Sequence, residues 1–329
     1  MNILVTGGAG YVGSHCVRNL CEAGHSVVVY DHLEVGHRQA VDPRARLVVG
    51  DLGDATLLGN TLSEGSFDAV MHFAALADVN ESVNHPLRYY RNNVVNSIRL
   101  LEAMRDHDVK RLVFSSSCAV YGIPPAVPIS EDMPKNPVNP YGRTKLAIEW
   151  AIQDSAAAWG LGATALRYFN AAGAAEDGTI GEDHDPESHL IPRVLKVALG
   201  QGEQLSIFGV DYPTPDGSCV RDYIHVEDLG DIHRMALDTQ PEGCFRCYNV
   251  GTGRGVSVKE LIEAAREVTG CDIPATSAPR REGDPPELYA DPARAMSDLG
   301  WKPKYTEIRR TLETAWAWHR ANPQGFTGT

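Results

Sequence analysis

"LVTGGAGYVGSH", Leu4 to His15, decides how this chain is read. Within it Gly7, Gly10 and Gly13 stand three apart, directly behind the apolar run Ile3–Thr6 and ahead of an amphipathic stretch, Gly13–Ala23. Side chains given up so regularly between a strand and a helix have two explanations. Either the turn is tight with nothing bound, or the backbone must come close to a ligand's charged oxygens. A second feature separates the two. The next strand, Ser26–Asp31, ends in a carboxylate eighteen positions after Gly13. Glycines let backbone approach a pyrophosphate at the positive end of a helix, and a carboxylate so placed accepts hydrogen bonds from an adenosine ribose while repelling a 2′-phosphate. The two signals in register predict a dinucleotide site, for NAD rather than NADP.

Working outward, the first half alternates β-branched runs with helical patterns. Strands are predicted at Ile3–Thr6, Ser26–Asp31, Ala45–Val49, Ala69–Phe73, Arg111–Ser115 and Ala163–Phe169, and helices at Gly13–Ala23, Pro86–Arg105 and Pro140–Trp159. Strand–helix–strand alternation of this length predicts an α/β fold with a doubly wound, mostly parallel sheet of Rossmann type. After Gly173 the character changes. Ala174–Pro186 is rich in Gly, Asp, Glu and Pro and predicts an irregular excursion. Helices are expected at Leu190–Leu199, Lys259–Thr269 and Glu307–Arg320, among short strands with Pro- and Gly-rich joints. Residues 1–173 are thus read as a dinucleotide-binding domain and 174–329 as a smaller mixed α/β substrate-binding domain, some of whose segments return to the first sheet.

Composition narrows the classes. The chain has 329 residues, 43% hydrophobic and 22% charged, with a formal net charge of −13. A basic nucleic-acid surface is excluded by that balance. Apolar runs are of strand length, far short of the ~20 residues of a membrane helix. No basic region or cleavage signal precedes the first strand, so a cytoplasmic protein is expected. Seven scattered cysteines fit free thiols in a reducing compartment. Cys244 and Cys247 form a lone C-x-x-C pair, read as strand packing before Tyr248, and no metal site is expected.

"NPYGRTKLAIEW", Asn139 to Trp150, is the second informative stretch. Asn139 suits a helix N-cap and Pro140 the first helical position. Tyr141 and Lys145 then share one helix face, four residues apart. A tyrosine titrates near 10, and a neighbouring ammonium favours its phenolate, so the pair is predicted to act as a base. "FSSSCAVYG", Phe114 to Gly122, should end a strand at the carboxyl edge of the sheet, where ligands of such folds bind. A serine there can share a substrate hydroxyl with the tyrosine, but spacing does not choose among Ser115, Ser116 and Ser117. Asp51, behind the third strand, is placed either to meet an adenine amino group or to cap a helix. Phe73-Ala74-Ala75 ends the fourth strand with small residues, as if something flat must pass.

Taken together, the glycine loop, the serine strand end with Val-Tyr-Gly and the Tyr-x-x-x-Lys pair resemble the extended short-chain dehydrogenase/reductase family. Within it the chain is most similar to the UDP-glucose (UDP-galactose) 4-epimerases. That resemblance rests further on "NESV" (Asn80–Val83), "YYRNNV" (Tyr89–Val94), "LRYFNAAGA" (Leu166–Ala174), "VRDYIHVEDL" (Val220–Leu229), "APRREGDPP" (Ala278–Pro286) and "NPQGF" (Asn322–Phe326), and covers essentially the whole chain.

The resemblance implies an NAD-dependent isomerase with Ser117, Tyr141 and Lys145 as its catalytic trio. It implies that NAD is held by Gly7, Gly10, Tyr11, Val12, Gly13, Asp31, Asp51, Leu52, Phe73, Ala74, Ala75, Asn92, Ser115 and Tyr168, besides Tyr141 and Lys145. The UDP portion would be held by Asn170, His189, Leu190, Phe208, Arg221, Arg281 and Asp284, with Ser117 at the sugar. Guanidinium forks suit diphosphate oxygens, although Arg221 could instead pair with Asp222 or Asp228. The implied reaction oxidises the sugar at C4, rotates the 4-keto sugar and returns hydride to its other face. The family also implies a homodimer through the helices Pro86–Arg105 and Pro140–Trp159. Three positions depart from the family pattern: Ala77 where some members have lysine, His189 where asparagine is common, and Leu288 where some carry a tyrosine narrowing the sugar pocket. Leu288 would widen that pocket toward N-acetylated sugars, unless Tyr289 takes its place. Relatives that eliminate water or decarboxylate place an acid before Val-Tyr-Gly, where this chain has Cys118 and Ala119. Another UDP-sugar 4-epimerase, a simple dehydrogenase and a non-catalytic NAD sensor are the rivals.

Overall fold

In the computed structural model, which describes residues 1–239, 242–281 and 283–326, the alternating runs become a parallel sheet. Its first six strands in chain order are β1 (Asn2–Thr6), β2 (Ser26–Asp31), β3 (Arg46–Val49), β4 (Ala69–His72), β5 (Arg111–Ser117) and β6 (Gly162–Tyr168). Next come β7 (Asn170–Ala172), β8 (Leu205–Phe208), β9 (Val220–Arg221), β10 (Tyr223–His225), β11 (Phe245–Val250), β12 (Val256–Ser257), β13 (Ala275–Ala278) and β14 (Glu287–Leu288). The large sheet runs β11-β6-β5-β4-β1-β2-β3, parallel throughout. Strand order reverses between β1 and β4. In doubly wound sheets a crevice opens at that point, beyond the carboxyl ends of the strands.

Both faces are buried, which is why the central strands read as unbroken apolar runs. On one side lie α1 (Tyr11–Glu22) and, from the later half, α8 (Val226–Asp238). On the other lie α2 (Ala55–Gly65), α5 (Asn96–Asp106) and α6 (Pro140–Trp159). The short α3 (Val79–Asn84) and α4 (Pro86–Tyr89) lead into α5. A second core gathers α7 (Leu190–Ala198), α9 (Val258–Thr269) and α11 (Ile308–Ala321) around the β8–β13 pair, while α10 (Ala293–Leu299) packs beside β11.

Besides the unpredicted α2, α3 and α10, two helical segments differ from expectation in an instructive way. The stretch predicted as one helix over Pro86–Arg105 is broken by a wide π-helical turn, Tyr90–Val95, between α4 and α5. Its cause is Asn93, fully buried, which accepts from the Leu76 N–H at 2.9 Å and donates to the Leu76 carbonyl at 3.0 Å and to Thr144 at 3.1 Å. An amide side chain satisfying another segment's backbone takes precedence over regular winding, and such bulges mark functional sites. α8 was not expected, because Asp228, Gly230 and Asp231 are weak helix formers. Tertiary contact overrides them: α8 packs along α1, where Asn19 donates to Asp231 at 2.9 Å and accepts from Arg234 at 2.9 Å. β5 also outruns its predicted end, because Ser116 and Ser117 pair with Arg167 and Tyr168 of β6. Ala174–Pro186 is free of helix and strand, as read. Among the described residues no helix is long and apolar enough to cross a membrane.

Candidate active site

The glycine loop lies at the switch point. Gly7 has φ +74°, and a Cβ there would meet the Ala74 nitrogen behind β4 at 2.4 Å. A Cβ on Gly13 would strike the Gly7 carbonyl oxygen at 2.1 Å. Those two glycines are demanded by the fold itself. Gly10 is not, since its nearest neighbour would be 3.5 Å away. Gly10 instead forms the N-cap of α1 without a side-chain cap, and no acidic residue occupies the first turn made by Tyr11, Val12 and Gly13. Uncapped N–H groups beside open space are what an anion needs.

Around this loop stand the other residues expected to hold a dinucleotide. Asp31, buried at the end of β2, accepts from the N–H groups of Ala9 (3.0 Å) and Leu33 (2.9 Å), which fixes its carboxylate at the crevice wall. Asp51 does not cap α2; Asp54 does, accepting from Leu57. Asp51 lines a cleft of about 560 Å³ together with Leu76, Asn92, Arg88, Arg91 and Arg99. Leu52 is buried in the core beside Leu58 and Leu62, so only its backbone can face that cleft. Phe73, half-buried ahead of Ala74 and Ala75, lays its ring 4.8 Å from that of His233.

β5 and α6 bring the reactive side chains together. Asn139 caps α6 by accepting from Gly142 at 2.8 Å, which sets the phase that places Tyr141 and Lys145 on the sheet side. Ser117 stands beside Tyr141, its hydroxyl accepting from the Ala119 N–H at 3.2 Å. Ser115 shares a 2.7 Å hydrogen bond with Tyr168, and Lys145 donates to the Ser115 carbonyl at 2.8 Å. Ser116 points to the other face, where it donates to Glu149 at 2.6 Å. That carboxylate is held in a buried pair with Arg167, whose guanidinium also reaches the Tyr121 hydroxyl at 2.8 Å. Sequence reasoning missed Asn93, Glu149 and Arg167, which support the site through long-range contacts.

Electrostatics correct one expectation. Burial pushes the Tyr141 phenol well above its ordinary value, and Lys145 does not offset this, lying 5.8 Å from the ring with its proton aimed at a carbonyl. Burial also lowers Lys145, to about 7, against the opposing pull of Glu149. Burial thus works against the phenolate that the lysine was expected to favour.

Residues expected to hold UDP lie on the second lobe. Arg221, on β9, pairs with Asp284 and donates to the Val220 carbonyl at 2.8 Å. It pairs with neither acid first suggested. Asp222 accepts from the backbone of Thr252, Gly253 and Ala290, and Asp228 from that of Lys304 and Tyr305. Arg281 stacks its guanidinium 3.9 Å from the centre of the Phe208 ring. Asn170 donates to the Asp222 carbonyl at 3.0 Å. His189 holds the N-cap position of α7 without capping it, its Nδ1 turned 2.5 Å from Glu182, ahead of a half-buried Leu190. Leu288 packs against the cluster of Tyr121, Leu146 and Phe169, whereas Tyr289 lies beside Gly255.

Residues 3–251 match the NAD dependent epimerase/dehydratase family. The chain belongs to that family. Over 327 residues, 99% of each chain, it is 52% identical to a UDP-glucose 4-epimerase of Lactobacillus helveticus. Its fold superposes on a UDP-glucose 4-epimerase of Bifidobacterium longum bound to NAD+ and UDP, with a TM-score of 0.95, 38% identity and coverage of 99% and 100%. It also matches a UDP-Glc/GlcNAc 4-epimerase of Campylobacter jejuni, at a TM-score of 0.85, 39% identity and coverage of 97% and 99%. The family is NAD dependent, and the uncapped start of α1 beside Gly10 is of the kind that suits a phosphate.

Proposed function

We propose that the chain interconverts UDP-glucose and UDP-galactose by reversible oxidation at C4 of the sugar. The observation that carries this reading is the gathering of Ser117, at the carboxyl end of β5, with Tyr141 and Lys145 of α6. Tyr141 takes the proton of the 4-hydroxyl, and Ser117, beside it, steers that hydroxyl toward the phenol oxygen. Burial favours the protonated phenol, and positive charge brought beside it lowers its affinity for that proton. NAD, held by the glycine loop, Asp31 and the Asp51–Asn92 cleft, supplies the redox chemistry when bound. Lys145 grips the nicotinamide ribose, as its exchangeable contact to the Ser115 carbonyl allows.

Arg221 and Arg281 bind the diphosphate and Phe208 packs on the uridine, with Asp284 sharing Arg221 until the substrate competes for it. A firm hold on UDP and a loose hold on the sugar let the keto sugar turn over before the proton returns from Tyr141. We infer from Leu288, packed on the Tyr121–Phe169 side, that the pocket also takes UDP-N-acetylglucosamine. We further propose a cytoplasmic homodimer formed through α3 to α6, where Val83, Leu87, Ile98 and Trp150 are exposed.

Purified protein given UDP-galactose without added NAD should form UDP-glucose with no net NADH. Tyr141→Phe should cut that rate by roughly 10²–10⁴-fold. Net NADH would mean a dehydrogenase, and silence of the wild type a sensor; either overturns the assignment. Complete refusal of the N-acetylated sugar would remove the wider pocket alone.

A further inference from the structure

The excursion between β7 and α7 carries "IGEDHDPESHL", Ile180 to Leu190, and four of its side chains converge. We propose that Glu182, His184, Glu187 and His189 form a binding site for a divalent transition metal of the zinc class. Each offers one ligand atom, and these atoms all lie within 4.8 Å of one another. His184 Nδ1 stands 3.4 Å from Glu182 and 3.8 Å from Glu187, and His189 Nδ1 is 3.8 Å from Glu187. Four ligands placed tetrahedrally about zinc, at about 2.0–2.1 Å, stand about 3.4 Å apart. To reach that geometry the close His189–Glu182 contact must open and the wider separations, up to 4.8 Å, must draw in.

An independent observation points to a ligand. Buried polar atoms nearly always have partners. Here Nδ1 of His184 and Oε2 of Glu187 are buried with none, and both face the centre of the cluster. The Glu187 side chain is 4% exposed and that of Glu182 3%. Among the described residues their ion-pair partners are these two imidazoles and no lysine or arginine. A doubly charged cation would balance two carboxylates and two neutral imidazoles. Two imidazolium ions would balance them as well, and the two carboxylates do raise both histidines, so protons and a cation compete for this site; an Nδ1 proton on His184 faces acceptors at 3.4 and 3.8 Å, longer than a good hydrogen bond. Mixed imidazole and carboxylate donors select zinc and its neighbours over magnesium or calcium.

Four protein ligands close the coordination sphere, so the site is structural. The ring of His184 lies edge-on to Tyr11, 6.4 Å away, and Asp183 accepts from Phe326 N–H at 2.9 Å and contacts His37. A bound ion would therefore fasten the excursion across the first turn of α1. The Glu-x-His-x-x-Glu-x-His spacing follows none of the familiar zinc patterns, which is why the sequence did not announce it.

The test is direct metal binding. Protein stripped with a chelator is titrated with zinc by calorimetry, its metal content is measured, and cobalt(II) is used as a spectroscopic stand-in. One equivalent per chain at micromolar affinity or tighter, a rise in melting temperature, and the intense visible bands of four-coordinate cobalt are expected. Glu187→Gln and His184→Ala should each weaken binding by roughly 100-fold. Absence of stoichiometric binding by the wild type, or affinity unmoved by both substitutions, overturns the proposal. Should either variant misfold, the wild-type titration and the cobalt spectrum decide alone. Neither readout depends on the epimerase reading.

Discussion

Ser115, Ser116 and Ser117 are chemically identical, yet the strand gives them three different tasks. Side chains alternate across a strand, so Ser115 and Ser117 face Tyr168 and Tyr141 while Ser116 faces Glu149. Alternation read from the sequence could have set Ser116 apart; only the packing of Tyr168 separates the remaining two. Ser117→Ala should lower kcat on the order of 10–100-fold at unchanged stability, since it removes a hydroxyl used by the reaction. Ser116→Ala should instead leave a buried carboxylate short of a donor and cost about 1–3 kcal/mol in denaturant unfolding, with kcat little changed. The opposite assignment of the two effects would refute this division. Lys145 offers a thermodynamic check. Its folded value is near 7 against an ordinary 10.5. Between those values the unfolded chain binds a proton that the folded chain has released, so stability from this group rises with pH there and is least below pH 7. Calorimetry of Lys145→Met should show that slope gone and a melting temperature higher by a few degrees at pH 6.5, while turnover is lost.

At the scale of elements, the glycine loop separates packing from binding. Gly13→Ala drives a methyl into the Gly7 carbonyl and should unfold or strongly destabilise the protein, whereas Gly10→Ala has room for its methyl. The second variant should keep its melting curve without cofactor yet bind NAD at least about tenfold more weakly, as seen by fluorescence titration. Equal loss of stability in both would mean that Gly10 serves the turn alone. Local chemistry made this element legible, and α6 too. Asn139, Pro140 and the left-handed Gly160 mark its ends, and it runs Pro140–Trp159 as predicted. α8 and the break before α5 were not legible, because Asn19 against Asp231 and Asn93 against Leu76 are agreements between distant segments. The Arg221–Asp284 pair is of the same kind, joining residues 63 positions apart.

Across the whole molecule, apolar side chains left in solvent concentrate where α3, α4, α5 and α6 meet. Leu87 is 71% exposed and Trp150 59%. Large exposed apolar groups on adjoining elements favour self-association. For the proposed homodimer, Leu87→Asp combined with Trp150→Glu should halve the sedimenting mass without altering the circular dichroism spectrum; an unchanged mass would refute a contact through this surface.

The edge of the large sheet is completed late. β11 covers β6, yet Phe245 follows Tyr168 by 77 positions. On the ribosome, Ala163, Ala165 and Leu166 are thus made, and their strand presents open amides and carbonyls, long before the segment that shields them has emerged. Pairing across such a gap is slow, and an uncovered edge recruits other chains. Yield in a heterologous host should then be governed by the pace of translation and by chaperone supply more than by the stability of the finished sheet.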